Sequence, residues 1–316
     1  GIRDVERSRG LGDVYKRQIN HFATSPDAPG GTRHYDFGVE LAKRGYKVTI
    51  FASDLNYMLR KRISGGFASR CRNKSDGVRF VWVRSLGYTK NNWRRAVNML
   101  SFALEVIIVG AFYERPDVII GSSPHLFAAL SACILARIHG SKFYLEIRDL
   151  WPQALVDMGA VSESSIVVKF LRKIESLLYR KADSIIVLSR GTGEYIAKRG
   201  VASDKIRLLP NGVYLEQFRV SEDRSEIRKQ LGLVDRFVVM YVGAHGPANA
   251  LDTIIRSADM MKEGIGAHAT FVLVGDGPSK DRLQQTVDEN GLDNVKMLPA
   301  VPKRSVPDLL NAADVL

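Results

Sequence analysis

Residues 237–258, FVVMYVGAHGPANALDTIIRSA, read as a strand, a tight loop and a helix. Phe237 to Val242 is β-branched and aromatic enough for a buried parallel strand. Leu251, Ile254 and Ile255 then recur at the i, i+3, i+4 spacing of an amphipathic helix. Gly243 and Gly246 lie between the two. Such a loop lets backbone approach a ligand closely and directs free helical N–H groups, with the positive end of the helix dipole, at a phosphate. The spacing is neither GxGxxG nor that of a P-loop, and most short strand-to-helix turns need glycine only to turn. From these residues alone both readings stand.

Length and composition bound the rest. At 316 residues the chain exceeds a single typical core, so two domains are expected. A hydrophobic content of 45% with 25% charged residues is that of a globular protein and excludes wholesale disorder. Cys71 and Cys133 fit no metal-ligand or redox spacing, which predicts a reduced, cytosolic setting and no zinc site. The net charge of +12 points to anionic partners without choosing among nucleic acid, a phospholipid surface and phosphorylated substrates.

Residues 1–18 carry charges at nearly every second position and offer no strand, signal-peptide core or long helical stripe. They look like a translated adapter, a non-native leader, and are set apart from the fold. Of an opening strand only about Ile19 to Phe22 is then left. Past a loop with Pro26, Pro29, Gly30 and Gly31, a helix is expected from about Thr32 to Arg44, with Gly45 as its stop. Strands are expected at Lys47 to Ala52 and, after a basic loop, at Val78 to Val83; a long apolar helix follows from Trp93 to Phe112. Between Arg60 and Arg95 eleven basic residues (Arg60, Lys61, Arg62, Arg70, Arg72, Lys74, Arg79, Arg84, Lys90, Arg94, Arg95) face one acid, Asp76. The apolar run behind them is too short for the ~20 residues of a membrane-spanning helix. A basic, aromatic-bearing segment leading into such a helix suits an anionic membrane surface, where each Lys or Arg contributes roughly 1 kcal/mol; a solvated loop beside a core helix is the other reading. Nucleic acid is not expected, because no helix-turn-helix, finger or RNP-like signature accompanies the charge.

Two strands, Asp117 to Gly121 and Phe143 to Ile147, end in polar residues where a doubly wound sheet places its ligand loops. Ser122, Ser123 and His125 follow the first; Arg148, Asp149 and Trp151 follow the second. Each alone reads as a helix cap or a surface salt bridge. Two such clusters on successive strand ends point to a site, and a buried Arg148–Asp149 pair would be costly unless it orients a substrate or stabilises departing charge. The helix at Val167 to Arg180, the strand Ser184 to Leu188, and Ile206 to Leu209 with the turn Pro210-Asn211-Gly212-Val213 complete a first domain of residues 19–213. A second covers 214–316.

The order GG near the start, EIRDLWP in mid-chain, SRGTGEYI, LPNGV, then VGAHG and LVGDGPSKDRL resembles the family 4 glycosyltransferases of the GT-B fold. Within that family the chain is similar to the bacterial branch that builds surface polysaccharides, including amino-deoxyhexose transferases of the N-acetylfucosamine type. The resemblance covers residues 19–316. It implies an α/β protein of two Rossmann-like domains facing across a cleft, the second incomplete, with the acceptor held by the first and a nucleotide sugar, expected to be UDP-linked, by the second. It implies transfer with retention at the anomeric carbon and no metal or other cofactor.

Matched position by position, Gly30 and Gly31 would approach the donor phosphates. Arg148 and Asp149 occupy the strand end where many relatives place a catalytic histidine, so Arg148, Asp149 and His125 are the candidate catalytic residues. Gly243, His245, Gly246 and Asn249 correspond to the diphosphate loop. The family's arginine and lysine pair is not evident there, leaving His245, Asn249 and the helix N-terminus to do that electrostatic work. Gly275, Asp276, Gly277, Pro299 and Val301 correspond to the wall around the nucleoside. The chain stops at Leu316, before the family's glutamate-containing segment, so weak donor binding and little turnover are expected of it. A lipid-diphosphate or saccharide acceptor at the cytoplasmic face of the inner membrane is the expected setting. The rival readings are a UDP-sugar 2-epimerase of the same architecture and a binding module that has lost its chemistry. No pair of carboxylates placed for glycoside hydrolysis stands out.

Overall fold

The computed structural model describes residues 14–25, 30–56, 62–63, 70–88, 93–123, 125–218, 224–263 and 268–316. Residues 1–13, Pro26, Pro29, Arg60, Lys61 and Lys90 lie outside the described residues, as do the side chains of Arg70, Arg72 and Lys74. The chain folds as two units that part between Asn211 and Gly212.

In the first unit, β1 (Tyr15–Ile19), α1 (Arg33–Lys43), β2 (Lys47–Ser53), β3 (Arg70–Ser75), β4 (Val78–Val83), α2 (Trp93–Ala111) and β5 (Val118–Ser123) come first in chain order. They are followed by α3 (Leu126–His139), β6 (Lys142–Ile147), α4 (Gln153–Asp157), α5 (Ile166–Lys181), β7 (Ser184–Val187), α6 (Arg190–Lys198) and β8 (Ile206–Leu208). Their eight-stranded sheet has the order β3-β4-β2-β1-β5-β6-β7-β8 and is parallel except for β3. The strand order reverses at β1, between β2 and β5. Helices leave on opposite faces there, so a crevice forms above the carboxyl ends of β1 and β5.

Strands buried on both faces need near-continuous apolar runs, and VTIFA, VRFVWV and VIIG supply them. On one face α2, α3 and α5 bury Phe102, Leu135, Leu171 and Leu178 against Ile19, Phe51, Ile119 and Leu145. On the other, Tyr35 of α1 packs with Ile50, Phe80 and Trp82. Each fully buried large side chain contributes about 1.5–3 kcal/mol, which makes this two-sided core the main source of stability.

Two expectations are corrected here. Tyr15 to Gln18 do not stand apart from the fold: they form most of β1, the central strand, in register with both β2 and β5. Their charges hid the strand because Arg17 is buried with both terminal nitrogens hydrogen-bonded, its Nε alone having no partner among the described residues. Its guanidinium donates from Nη1 to Gly110 O at 2.9 Å and from Nη2 to Glu114 O at 2.7 Å, and it lies against the rings of Phe51 and Tyr113. Burial pulls its pKa down to about 10, so it stays charged at neutral pH. The second correction concerns the basic loop before Val78, which contains β3, antiparallel to β4 at the sheet's edge. RCRNKS lacks the apolar alternation that marks a strand, and as an edge strand it is paired on one side only.

The second unit runs through α7 (Arg224–Gln230), β9 (Phe237–Val242), α8 (Asp252–Met260), β10 (Ala269–Val274), α9 (Lys280–Glu289), β11 (Val295–Leu298) and α10 (Val306–Asn311). Its parallel sheet has the order β11-β10-β9, and Val315 bridges Val239 beside β9. Leu251 and Ile255 enter the core as their spacing predicts, with Phe271, Leu273 and Leu283. Asp314 accepts from Arg224, from Arg228 Nη2 at 2.5 Å and from Val238 N at 2.8 Å, fastening the chain's last residues to α7 and β9.

If Arg17 is a structural member of β1, Arg17→Ala should lower unfolding free energy by more than about 2 kcal/mol, because two carbonyls lose charged donors. Urea denaturation measures this; a change within ~0.5 kcal/mol would return residues 15–18 to the status of a leader.

Candidate functional site

The carboxyl ends of β1, β5 and β6 converge on one buried carboxylate. Glu146, penultimate in β6, is 5% exposed. Its Oε1 accepts from Arg33 Nε at 2.9 Å, and its Oε2 takes His34 Nε2 and Ser122 Oγ, each at 2.7 Å. Asn20, just past β1, places Nδ2 2.8 Å from His34 Nδ1 while its Oδ1 accepts from Phe22 N. That assigns the amide nitrogen to the histidine, so Nδ1 of His34 accepts and Nε2 carries the proton donated to Glu146. Arg33 also donates to Leu209 O, Pro210 O and Asn211 Oδ1, which anchors the LPN turn. Burial pushes the Glu146 carboxyl up, but His34, Ser122 and Arg33 outweigh it and hold it far below the usual carboxylate range. Sequence reading missed Arg33, His34 and Glu146. The available signal was an acid inside the apolar run FYLEI, which must have a partner when buried.

The candidate catalytic residues sit around this hub differently from expectation. Arg148 is half-buried and Asp149 exposed, with no ion pair between them among the described residues. The expected buried pair is therefore corrected: β6 ends at Ile147, and the next two residues rise above the sheet edge. The Arg148 guanidinium has no hydrogen bond or ion pair among the described residues, and Nη2 lies 3.5 Å from where a Gly31 Cβ would stand. Gly31 and Arg148 are thus brought together. Ser123 Oγ donates to Asp149 O at 3.4 Å and accepts from Arg148 N at 3.3 Å, tying the two strand ends. His125 is fully buried as the N-cap of α3, its Nδ1 accepting from Ala128 N at 3.3 Å. Its Nε2 therefore carries the proton and donates to His21 Nδ1 at 2.9 Å. With both nitrogens used and no exposed edge, His125 is a structural cap in this structure. Burial and then Arg95 lower its pKa to about 3; burial, then His125, lower that of His21 well below the ordinary value.

In the second unit the two glycine loops lock backbone to backbone. Gly243 N donates to Val274 O, His245 N to Asp276 O, and Ser279 N to His245 O, each at 2.9 Å. A Cβ on Gly275 would fall 1.8 Å from Gly243 O, and one on Gly277 would fall 2.5 Å from His245 O; both glycines also hold φ near +155°. No side chain fits at either position. Lys280 Nζ donates to Gly275 O at 2.8 Å and Leu298 O at 3.0 Å, fixing the ends of β10 and β11.

The electrostatic expectations for this loop are corrected. His245 is fully buried against Gly275, with neither ring nitrogen hydrogen-bonded, so its ring is not presented to a ligand. Burial, then Lys280, lower its pKa. The first turn of α8 carries Asp252, ion-paired with Arg282, which sets a negative charge on that helix N-terminus. Asn249, Asp276 and Pro299 are exposed, Gly30, Gly243 and Gly246 half-buried, and Val301 packs partly against Val274 and Leu298. Among the described residues no group of three or more His, Cys, Asp or Glu side chains could hold a metal ion.

The buried titratable groups set the acid response. His21 and His125 are neutral when folded and protonate near pH 6.5 when unfolded, so their contribution is complete above that pH. It falls as pH drops below that value, for His125 down to about 3, by up to ~1.4 kcal/mol per pH unit for each histidine. Glu146 contributes fully above its unfolded value of about 4.3 and loses that contribution below it. Denaturant titrations should show both declines. Glu146→Gln should remove the lower one and cost about 3–5 kcal/mol at pH 7, since Arg33 is left buried without its counter-charge. In the second unit, Gly275→Ala should cost more than about 4 kcal/mol, whereas Gly246→Ala, whose Cβ meets only Asn249 Oδ1 at 3.4 Å, should stay within ~1 kcal/mol. Equal melting of the two variants would overturn the backbone-contact account.

Residues 30–212 match the model of the glycosyl transferase 4-like domain, and residues 223–316 that of glycosyl transferases group 1. The chain is 25% identical over 300 residues to the putative colanic acid biosynthesis glycosyl transferase WcaI of Escherichia coli (strain K12), covering 92% of this chain and 73% of that protein. Among solved structures it resembles Anabaena Alr3699/HepE in complex with UDP-glucose (17% identity, TM-score 0.65, 95% of this chain and 72% of that one). It also resembles the sucrose-phosphate synthase of Thermosynechococcus elongatus (19% identity, TM-score 0.73, 95% and 74%). At these identities the structural likeness carries the fold alone. With the first family model spanning more than half the chain and the second following it, the chain belongs to the glycosyl transferase 4-like family, glycosyltransferases of the GT-B fold.

Proposed function

We propose that this protein transfers a sugar, with retention at the anomeric carbon, from a UDP-sugar to a lipid-linked or saccharide acceptor in bacterial surface-polysaccharide synthesis. The observation that carries the reading is the junction of residues 243–246 with 275–277, where two strand-end loops meet with bare backbone. A nucleoside diphosphate needs such close approach of backbone, and a loop whose shape is fixed beforehand stabilises developing charge on the departing diphosphate without reorganising. The family, the relation to WcaI and the UDP-glucose complex of HepE support the donor and the polysaccharide setting.

In the first unit, Arg148 supplies an unpaired cation beside Gly31 and Asp149 an exposed carboxylate, and the proposal assigns both residues to the transfer step. The reaction takes no metal cofactor, so chelation should leave it unchanged. The acceptor is met at an anionic membrane surface on the cytoplasmic side. No described helix is long and apolar enough to cross a membrane, and the basic segment ending at Arg95 leads into α2, which exposes Trp93, Leu100, Leu104 and Ile108.

Thermal-shift titration tests the donor: UDP and UDP-sugars should raise stability by RT ln(1 + [L]/Kd), about 2.7 kcal/mol at a hundredfold excess over Kd, and GDP should not. Proton NMR of the product separates transfer, which releases UDP, from epimerisation of the UDP-sugar. Arg148→Ala should lower turnover roughly 10²–10³-fold while changing stability by less than ~0.5 kcal/mol, because its guanidinium has no partner to lose. Unchanged turnover would remove Arg148 from the transfer step.

A further inference from the structure

The outward face of α5 combines apolar and basic residues in a way the fold does not use. Ile166, Val168 and Leu171 share this helix, but only the last two face the core; Ile166 is 85% exposed, Phe170 55% and Val167 57%. Helical spacing sets Ile166, Lys169, Phe170, Lys173, Ser176, Leu177 and Arg180 along one side, over about 21 Å. The side holds three cations and no acid. The helix's one acid, Glu175, is buried on the other side, where it receives Arg172 and Arg199. Beside the basic half lies a groove of about 1060 Å³ lined by Arg172, Lys173, Arg180, Arg199 and Lys205.

Of the groove's cations, Lys173 and Arg180 are unengaged among the described residues, and the other three are committed within the fold. Arg172 and Arg199 both donate to Tyr195 Oη and both approach Glu175, Arg172 also pairs with Glu163 at 3.0 Å, and Lys205 Nζ donates to Ala182 O at 3.0 Å. Lys169, Lys173 and Arg180 have no side-chain partner among the described residues. A soluble polyanion would engage the cations and leave Ile166 and Phe170 in water. A protein partner would need acids matched to cations interleaved with apolar residues. An anionic bilayer meets both demands at once: apolar side chains sink below the headgroups while Lys and Arg stems reach back to the phosphates.

We propose that the outer face of α5, Ile166 to Arg180 with the adjoining basic groove, is the surface by which the first unit docks on an anionic lipid membrane. This rests on the membrane reading above and locates it on a helix away from the Arg60 to Arg95 segment. Both α2 and α5 bury their inner sides in the same cluster with α3, so the exposed stripe of α2 lies on the same layer of the unit.

Vesicle flotation of the full chain tests the assignment. Wild type should float with phosphatidylglycerol-containing vesicles, less as salt rises, and remain in solution with phosphatidylcholine alone. Each basic residue at the surface contributes about fivefold in partitioning, so K169Q/K173Q/R180Q should lower it roughly a hundredfold. Phe170→Ser should lower it roughly tenfold, and an R84Q/R94Q control should bind more tightly than the triple variant. Circular-dichroism melts matching wild type, and an unaltered UDP thermal shift, confirm that the variants keep the fold and the donor site. Flotation of the triple variant like wild type would overturn the α5 surface and leave the membrane reading standing. Failure of wild type to float would overturn both. Loss in the triple variant with Phe170→Ser unaffected would make the face a site for soluble polyanions and overturn the lipid assignment.

Discussion

One buried carboxylate organises the first unit's functional edge. Glu146 is buried, so its charge persists only because Arg33 and His34 at the start of α1 and Ser122 of β5 supply donors. The same bonds bring the start of α1 to the ends of β5 and β6, and Arg33 extends them to the LPN turn. A chain that ends several strands together must hold those ends in fixed relation, and here one ion cluster does it. Arg148, two residues beyond Glu146, inherits its position from this arrangement while keeping its own guanidinium unengaged.

The second unit uses a different device for the same purpose. There the strand-end loops are joined by main-chain hydrogen bonds at contact distances that forbid a side chain at Gly275 and Gly277. The N–H groups of Gly243, His245, Gly275 and Gly277 are spent on this fixing, so the loops hold one shape without reorganisation. That is the condition under which dipoles stabilise a developing charge most strongly. His245, read from the sequence as a ligand for phosphate, belongs to the fixing and not to the presenting surface. Its backbone N–H and carbonyl carry the junction, and its ring is packed beneath it.

The positive charge of the chain is likewise divided between architecture and surface. Arg17 and Arg33 are interior donors, Arg62 pairs with Asp54, and Arg79 reaches Tyr15 Oη at 3.2 Å. The described part of the basic segment is therefore partly committed within the fold. On α5, Lys169, Lys173 and Arg180 are exposed beside exposed apolar side chains, and a count of charges along the sequence does not distinguish the two situations.

What the sequence by itself determined was the secondary structure of the apolar segments and the alternation that makes a doubly wound sheet. Val78 to Val83, Phe237 to Val242 and the helix at 93–111 carry their signals locally, in period and composition. The glycine pairs were legible as loops for the same reason. Only the tertiary structure decided which polar residues lie inside. Arg17 looked foreign until Phe51, Tyr113 and two carbonyls surrounded it; His125 looked catalytic until the turn of α3 claimed its Nδ1; Glu146 passed unremarked until two segments distant in sequence met at its oxygens. A buried charge is stable only through partners that folding brings to it, and those partners leave no periodic trace along the chain.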